Sequence, residues 1–284
     1  MAIFSNQATL TYNGTATNSN IAYGEILEIL SAAKTSVEGS YAPDTLVTYA
    51  IPLRNTGASA LNGVSISDDL GGYAWNGTTV YPLTYETGSV TLFIDGVLQA
   101  APTVTAGPPL VFSGINLPAG SDAVLVYQAR ANGFANPDAG GVITNTATIS
   151  ATGLNTPITV SETVSVLVSP MLTISKSISP SQVVDNERVS YTFVIQNLGN
   201  QEIVATDNAV VSDLFNPILS ALSVTFNGTP VTEGEGYNYN ETTGEFTTLP
   251  GQIVVPAASY TQDPVTGEYS VTPGIATLVV TGTI

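Results

Sequence analysis

The chain has no cysteine, no histidine and a single tryptophan, and its five Lys and Arg residues stand against 22 Asp and Glu. Each shortage removes a class of function. Without cysteine there is no disulfide framework, thiol nucleophile or thiolate metal site; without histidine there is no imidazole base or ligand. No metal and no cofactor is therefore expected. A net charge of −17 disfavours nucleic acid and anionic membrane as partners, because both are gripped by Lys and Arg. The same charge favours solubility. No apolar run is long enough to span a membrane. Residues 1–30 hold no Lys or Arg, so no secretory n-region, and hence no signal peptide, is recognisable.

What is present is a succession of short alternating segments rich in Thr, Val, Ser and Ile, separated by Gly and Pro. Val47-Thr48-Tyr49-Ala50-Ile51, Ala123-Val124-Leu125-Val126-Tyr127 and Ala276-Thr277-Leu278-Val279-Val280 are typical. Side chains alternate between faces along a strand, so each such segment reads as a strand with one buried face. Many of them at regular spacing predict an all-β protein of Ig-like Greek-key β-sandwiches.

The chain's two lysines occupy the same place in two tandem repeats. Lys34 follows Leu30 and Ala32, and Lys176 follows Leu172 and Ile174, so each amine shares the apolar phase and is expected to point into a core. Tyr49 and Tyr191 follow at equal spacing, then Asn55-Thr56-Gly57 and Asn197-Leu198-Gly199. Further on, Ser67-Asp68 matches Ser212-Asp213, and Pro118-Ala119-Gly120 matches Pro273-Gly274. These landmarks predict one domain over 27–168 and a second over 169–284. The first repeat continues with Ile143-Thr144-Asn145-Thr146-Ala147-Thr148-Ile149 and a strand carrying Glu162. The second repeat stops short of any counterpart.

A matching segment stands at the other end of the chain. Phe4-Ser5-Asn6-Gln7-Ala8-Thr9-Leu10 reads like Ile143 to Ile149, and it too is followed by a turn (Asn13-Gly14) and a strand, here with Glu25. Residues 1–26 are thus expected to be a displaced hairpin whose inward phase is Phe4, Asn6, Ala8, Leu10 and Tyr12. The plainer alternative is an ordinary first strand of the first domain. From that position the hairpin is too short to reach the far end of its own second domain. Another copy of the same chain has no such difficulty, and the resulting head-to-tail contact yields a homopolymer unless it closes a ring. A monomeric surface adhesin binding a host or matrix ligand is the alternative function; nothing suggests an enzyme.

Leu172-Thr-Ile-Ser-Lys176, the Tyr191 strand ending in Asn197-Leu198-Gly199, Ser212-Asp213 and Asn145-Thr146-Ala147-Thr148 together resemble the bacterial "conserved repeat" surface domain, domain of unknown function type eleven. The resemblance implies Ig-like sandwiches in extracellular or cell-envelope proteins of bacteria, without a catalytic role. Separately, the cysteine-free, leaderless, head-to-tail form looks like a subunit of an appendage built inside a spore-forming mother cell, which would place it at a spore surface. Gram-positive surface sandwiches of the collagen-adhesin type join a Lys to an Asn with help from a buried acid. By that likeness Lys34, Asn145 and Asp68 are isopeptide candidates within the first domain, with Lys34 and Asn145 expected on neighbouring first and last strands. Lys176, Asp213 and Asn6 are the candidates between subunits. Two non-covalent alternatives stand for each set: a buried Lys–Asp pair satisfied by the Asn amide, or a lysine that sits on a sheet edge as a gatekeeper. Ser31-Ala32-Ala33-Lys34 matches the Ser-x-x-Lys of penicillin-recognising enzymes but lacks its partners. Asp68, Asp69, Asp122 and Asp138 show no calcium-loop spacing, and Tyr73, Trp75 and Tyr81 read better as packing than as a binding patch.

Overall fold

The structure is a computed structural model that describes residues 2–26 and 29–284. It is all-β; the only helical turn among the described residues is 3-10, at Ala205–Asp207. Tyr49, Ile51 and Leu53 on one strand and Val64 and Ile66 on another point inward at every second position. That period-two burial on facing sheets creates the first sandwich. One sheet runs in the order Val97–Leu98, Thr91–Ile94, Asp122–Ala131, Leu46–Asn55, Leu30–Ala32, with Thr35–Ser36 also on Leu46–Asn55. The facing sheet runs Thr103–Thr105, Leu110–Leu117, Leu61–Asp68, Val142–Ser150, Ile158–Val166, Ser40–Tyr41.

The second sandwich has a similar first sheet, in the order Leu172–Ser179, Arg188–Asn197, Gly274–Thr283, Ser220–Phe226, Thr229–Val231. Its facing sheet is much smaller: Ser212–Leu214, Glu245–Thr248 and Tyr237–Tyr239. Phe193, Phe215, Phe246 and Leu278 fill the space between them.

The repeated Asn-x-Gly is a structural clip. Buried Asn55 donates to the carbonyls of Ser59, Leu117 and Pro118 at 3.0, 3.1 and 2.8 Å, while its Oδ1 accepts the Gly57 N–H at 3.0 Å. Asn197 does the same with Gln201 (2.6 Å), Pro256 (3.1 Å) and the Gly199 N–H (2.9 Å). Buried amides need such partners. Glycine is required at 199 because a Cβ there would collide with the Ser169 carbonyl. The clip also corrects the alignment: Pro256, not Pro273, takes the place of Pro118. A hairpin, Ser259–Gln262 with Tyr269–Thr272, is inserted before the strand Gly274–Thr283.

That inserted hairpin ties the two sandwiches together. The Tyr269 N–H donates to the Gly133 carbonyl at 2.8 Å, and Gln262 Nε2 donates to Tyr73 Oη at 2.8 Å. Trp75 packs against Gly267, where no side chain would fit without shifting the indole. Tyr73 and Trp75 are therefore packing residues of the junction.

The N-terminal segment is a hairpin. Ala2–Asn6 pairs with Ala22–Ile26, and Thr9–Tyr12 pairs with Thr15–Asn18. Asn13 and Gly14, both at positive φ (48° and 77°), make the tight turn that favours such pairs. Between the two paired stretches the return strand carries one extra residue, a bulge. Ser19 holds it: Ala8 N–H donates to Ser19 Oγ at 2.9 Å, and Gln7 Nε2 to the Ser19 carbonyl at 2.7 Å. Among the described residues, every hydrogen bond made by 2–26 closes within the segment. The Phe4 ring lies over Gly24, where a Cβ would strike it. One expected equivalence does not hold: Glu25 faces Ile3, whereas Glu162 faces Asn145.

Candidate functional site

Lys34 sits at the break between Leu30–Ala32 and Thr35–Ser36, kept on the sheet by the bond from Ala33 N–H to the Pro52 carbonyl (3.1 Å). Its Nζ lies 2.6 Å from Asp68 Oδ2, and both side chains are fully buried. Asp68 closes the strand Leu61–Asp68 of the opposite sheet, and its Oδ1 accepts the Leu70 N–H at 3.0 Å. The same Oδ2 accepts the Tyr127 hydroxyl at 2.5 Å, and Asn145 Nδ2 donates to Tyr127 Oη at 3.0 Å. Asn145 Oδ1 and Tyr49 Oη are buried without a hydrogen-bond partner. Tyr49 and Tyr127 stack with centroids 5.5 Å apart, and the Lys34 amine stands 4.9 Å over the Tyr49 ring.

Burial pulls the Lys34 amine below its ordinary 10.5, outweighing the Asp68 carboxylate, which acts the other way. Burial, then the Asp68 charge, pushes the Tyr49 and Tyr127 hydroxyls upward. The cluster thus encloses an amine whose burial favours its neutral, nucleophilic form, a carboxyl group hydrogen-bonded to it, and a carboxamide.

Lys34, Asp68 and Asn145 come together, though not by the expected route. Lys34 and Asn145 are not on neighbouring strands. The Asn145 strand pairs with Leu61–Asp68 and Ile158–Val166, and the strands flanking Lys34 pair with Leu46–Asn55 in the other sheet. Both side chains point inward from opposite sheets, and hydrogen bonds through Asp68 and Tyr127 connect them. Glu162 closes the adjacent edge by accepting the Ser36 hydroxyl at 2.8 Å. Asp69 points away, its Oδ1 accepting the N–H groups of Gly71 and Thr146. Asp122 is engaged by Arg54 at 2.9 Å. Sequence alone gives no signal for Tyr127, because a tyrosine in phase with Leu125 reads as ordinary core; its place opposite Tyr49 is visible only in the structure.

The second cluster is open. Lys176 pairs with Asp213 and lies over the rings of Tyr191 (4.5 Å), Phe215 (5.2 Å) and Phe193 (5.4 Å), a cation–π setting. It was expected to be buried; its side chain is 38% exposed. The reason is local. Leu172–Ser179 is a sheet edge whose residues are all exposed, so Leu172 is 44% accessible where its counterpart Leu30 is 5%. Beside Asp68 the first sandwich has the strand Val142–Ser150. Among the described residues, the matching edge of Ser212–Leu214 has no strand, its pairing being only with Glu245–Thr248. Val280 faces Tyr191 where Tyr127 faces Tyr49. Asn6 is exposed and bonded to neither Lys176 nor Asp213 among the described residues, and Phe4, Ala8, Leu10 and Tyr12 are exposed with it.

No family model matches the sequence, and no curated protein matches it; the conserved-repeat likeness therefore gives no family assignment. Several solved structures are similar. They include BcpA, the major pilin subunit of Bacillus cereus, at 14% identity and TM-score 0.37, over 96% of this chain and 73% of that one. The pilus backbone RrgB of Streptococcus pneumoniae matches at 13% identity and TM-score 0.36, over 86% of this chain and 55% of that one. The major pilin SpaD of Corynebacterium diphtheriae matches at 11% identity and TM-score 0.36, over 86% and 59%. The chain thus spans less than two thirds of the length of RrgB and SpaD. No helix among the described residues is long and apolar enough to cross a membrane.

Proposed function

We propose that this protein is a structural, non-enzymatic subunit of a bacterial cell- or spore-surface filament. Subunits join head to tail, the N-terminal hairpin of one filling the open edge of the next subunit's second sandwich. The observation that carries this reading is a correspondence within one chain. The first sandwich completes itself with Ile143, Asn145, Ala147 and Ile149, all buried. The second has no strand at that edge among the described residues, and the hairpin presents Phe4, Asn6, Ala8 and Leu10 in the same order, Phe4 56% and Leu10 67% exposed.

In the first sandwich Ala147 pairs with Asp68 and Thr148 with Ser67. The same register on the second places Ala8 opposite Asp213 and Thr9 opposite Ser212, and brings Asn6 to Lys176. Burying Phe4 and Leu10 contributes about 1.5–3 kcal/mol each. Main-chain bonds cover an edge that would otherwise invite nonspecific pairing. Lys34 and Asn145 join as an amide within each subunit, and Lys176 joins Asn6 of the neighbouring subunit, making the polymer covalently continuous. Each bond lowers the intact mass by roughly 17 Da, one ammonia.

Electron microscopy of the purified chain tests the assembly. Filaments are expected from the full chain and none from a variant lacking residues 2–26, whose circular dichroism should stay that of a folded β protein. Filaments that persist without the hairpin would reject donation.

A further inference from the structure

Four groups of the first sandwich form an unbroken chain of hydrogen bonds: Lys34 Nζ to Asp68 Oδ2 at 2.6 Å, Tyr127 Oη to the same oxygen at 2.5 Å, and Asn145 Nδ2 to Tyr127 Oη at 3.0 Å. Its two ends are the nucleophile and the leaving group of the amide exchange described above. We propose that Tyr127 is a catalytic residue of that exchange, passing a proton from Asp68 to the departing nitrogen of Asn145. The assignment rests on the Lys34–Asn145 bond and adds a residue to it.

The atoms balance along this path. The Lys34 ammonium gives one proton to the Asp68 carboxylate, and the freed lone pair attacks Asn145 Cγ while the carbonyl electrons move to Oδ1. Before attack Nδ2 is a planar amide nitrogen with no available lone pair, which is why it donates to Tyr127. After attack it is pyramidal and basic, so the same contact runs in reverse. The hydroxyl proton passes to Nδ2 as the Asp68 carboxyl proton replaces it on Oη. The C–N bond breaks, ammonia leaves, the carbonyl re-forms, and the extra proton on Nζ returns to Asp68. Tyr127 ends as it began, a phenol, and burial together with the Asp68 charge keeps it protonated.

Packing alone does not call for this hydroxyl. The neighbouring buried hydroxyl of Tyr49 makes no hydrogen bond. In the first sandwich the hydroxyl at this position alone links the acid to the leaving group.

The test measures ammonia loss by intact mass at intervals after cell-free synthesis, in an Asn6→Ala background so that only the first sandwich contributes. Tyr127→Phe keeps the ring stack and removes the relay; Tyr127→Val copies the second sandwich, and circular dichroism selects whichever folds. Either variant is expected to lose ammonia roughly 100-fold more slowly or worse, the usual range for a missing general acid. Loss at the parental rate from a folded variant overturns the relay and leaves the bond standing. No ammonia loss from the Asn6→Ala parent removes the bond, and the relay with it.

Discussion

Asp68→Ala is expected to destabilise the first sandwich more than any other single substitution in the chain. It strands a fully buried amine and removes the acceptor of the Tyr127 hydroxyl. Breaking a buried pair from one side costs about 3–5 kcal/mol. Without the carboxyl group the Lys34–Asn145 bond does not form either. By analogy with a disulfide closing a loop of about 110 residues, that removes on the order of a further 4–5 kcal/mol. Asn145→Ala separates the two effects, since it leaves the ion pair in place and deletes only the carboxamide. Its expected cost is the cross-link plus the buried hydrogen bond to Tyr127, about 0.5–1.5 kcal/mol, with the mass deficit gone. Denaturant melts followed through Trp75, the single tryptophan, read both variants. If Asn145→Ala matches the parent in both melt and mass deficit, no covalent bond joins these strands. The uncrosslinked variant also carries a pH signature. The folded state holds the Lys34 amine below 10.5, so between that lowered value and 10.5 the unfolded chain binds more protons. Stability is therefore expected to rise with pH through this window, whereas an ordinary exposed lysine gives no such slope.

How much of this was legible before folding differs from residue to residue. Tyr49, Ile51, Val64 and Ile66 announce their sheets by alternation alone, whereas Lys34, Asp68 and Asn145 are grouped by the likeness to collagen-adhesin sandwiches, with the apolar phase agreeing for Lys34 and Asp68. Phase states which face a side chain takes; it does not state which sheet lies opposite. That is why Lys34 and Asn145 were expected side by side and are found across the core. Lys176 shows the complementary failure. Its sequence context copies that of Lys34, yet its exposure is set by the want of a strand beside it among the described residues, and exposure is a property of neighbours. The inserted hairpin at Ser259–Thr272 was hidden because Pro273-Gly274 imitates the Pro118 loop while Pro256 performs its role. The bulge at Ser19 was hidden too, since one additional polar residue in a Thr/Asn-rich return strand leaves no periodic trace.

Cysteines placed at Thr9 and Ser212 together are expected to link successive subunits into a ladder of disulfide-joined oligomers on non-reducing gels. The chain has no other cysteine, so every rung reports this pair. The choice follows from the first sandwich, where Thr148 faces Ser67 on the outward side of the pairing; the substitutions therefore leave the core untouched. Directly opposed positions bring Cβ atoms to about 4.5–5.5 Å, close enough for a bridge after slight adjustment, whereas a diagonal pair stands about 7–8 Å apart. Thr11→Cys with Ser212→Cys is such a diagonal pair and is expected to give few rungs. A ladder from the second pair but not the first would mean that the donated strand slides by two residues, placing Asn6 beyond the reach of Lys176 while leaving donation intact. A fast-migrating monomer containing a bridge would mean that the hairpin folds back on its own subunit. That outcome would end the polymer reading, because a strand that completes its own molecule leaves nothing to join the next.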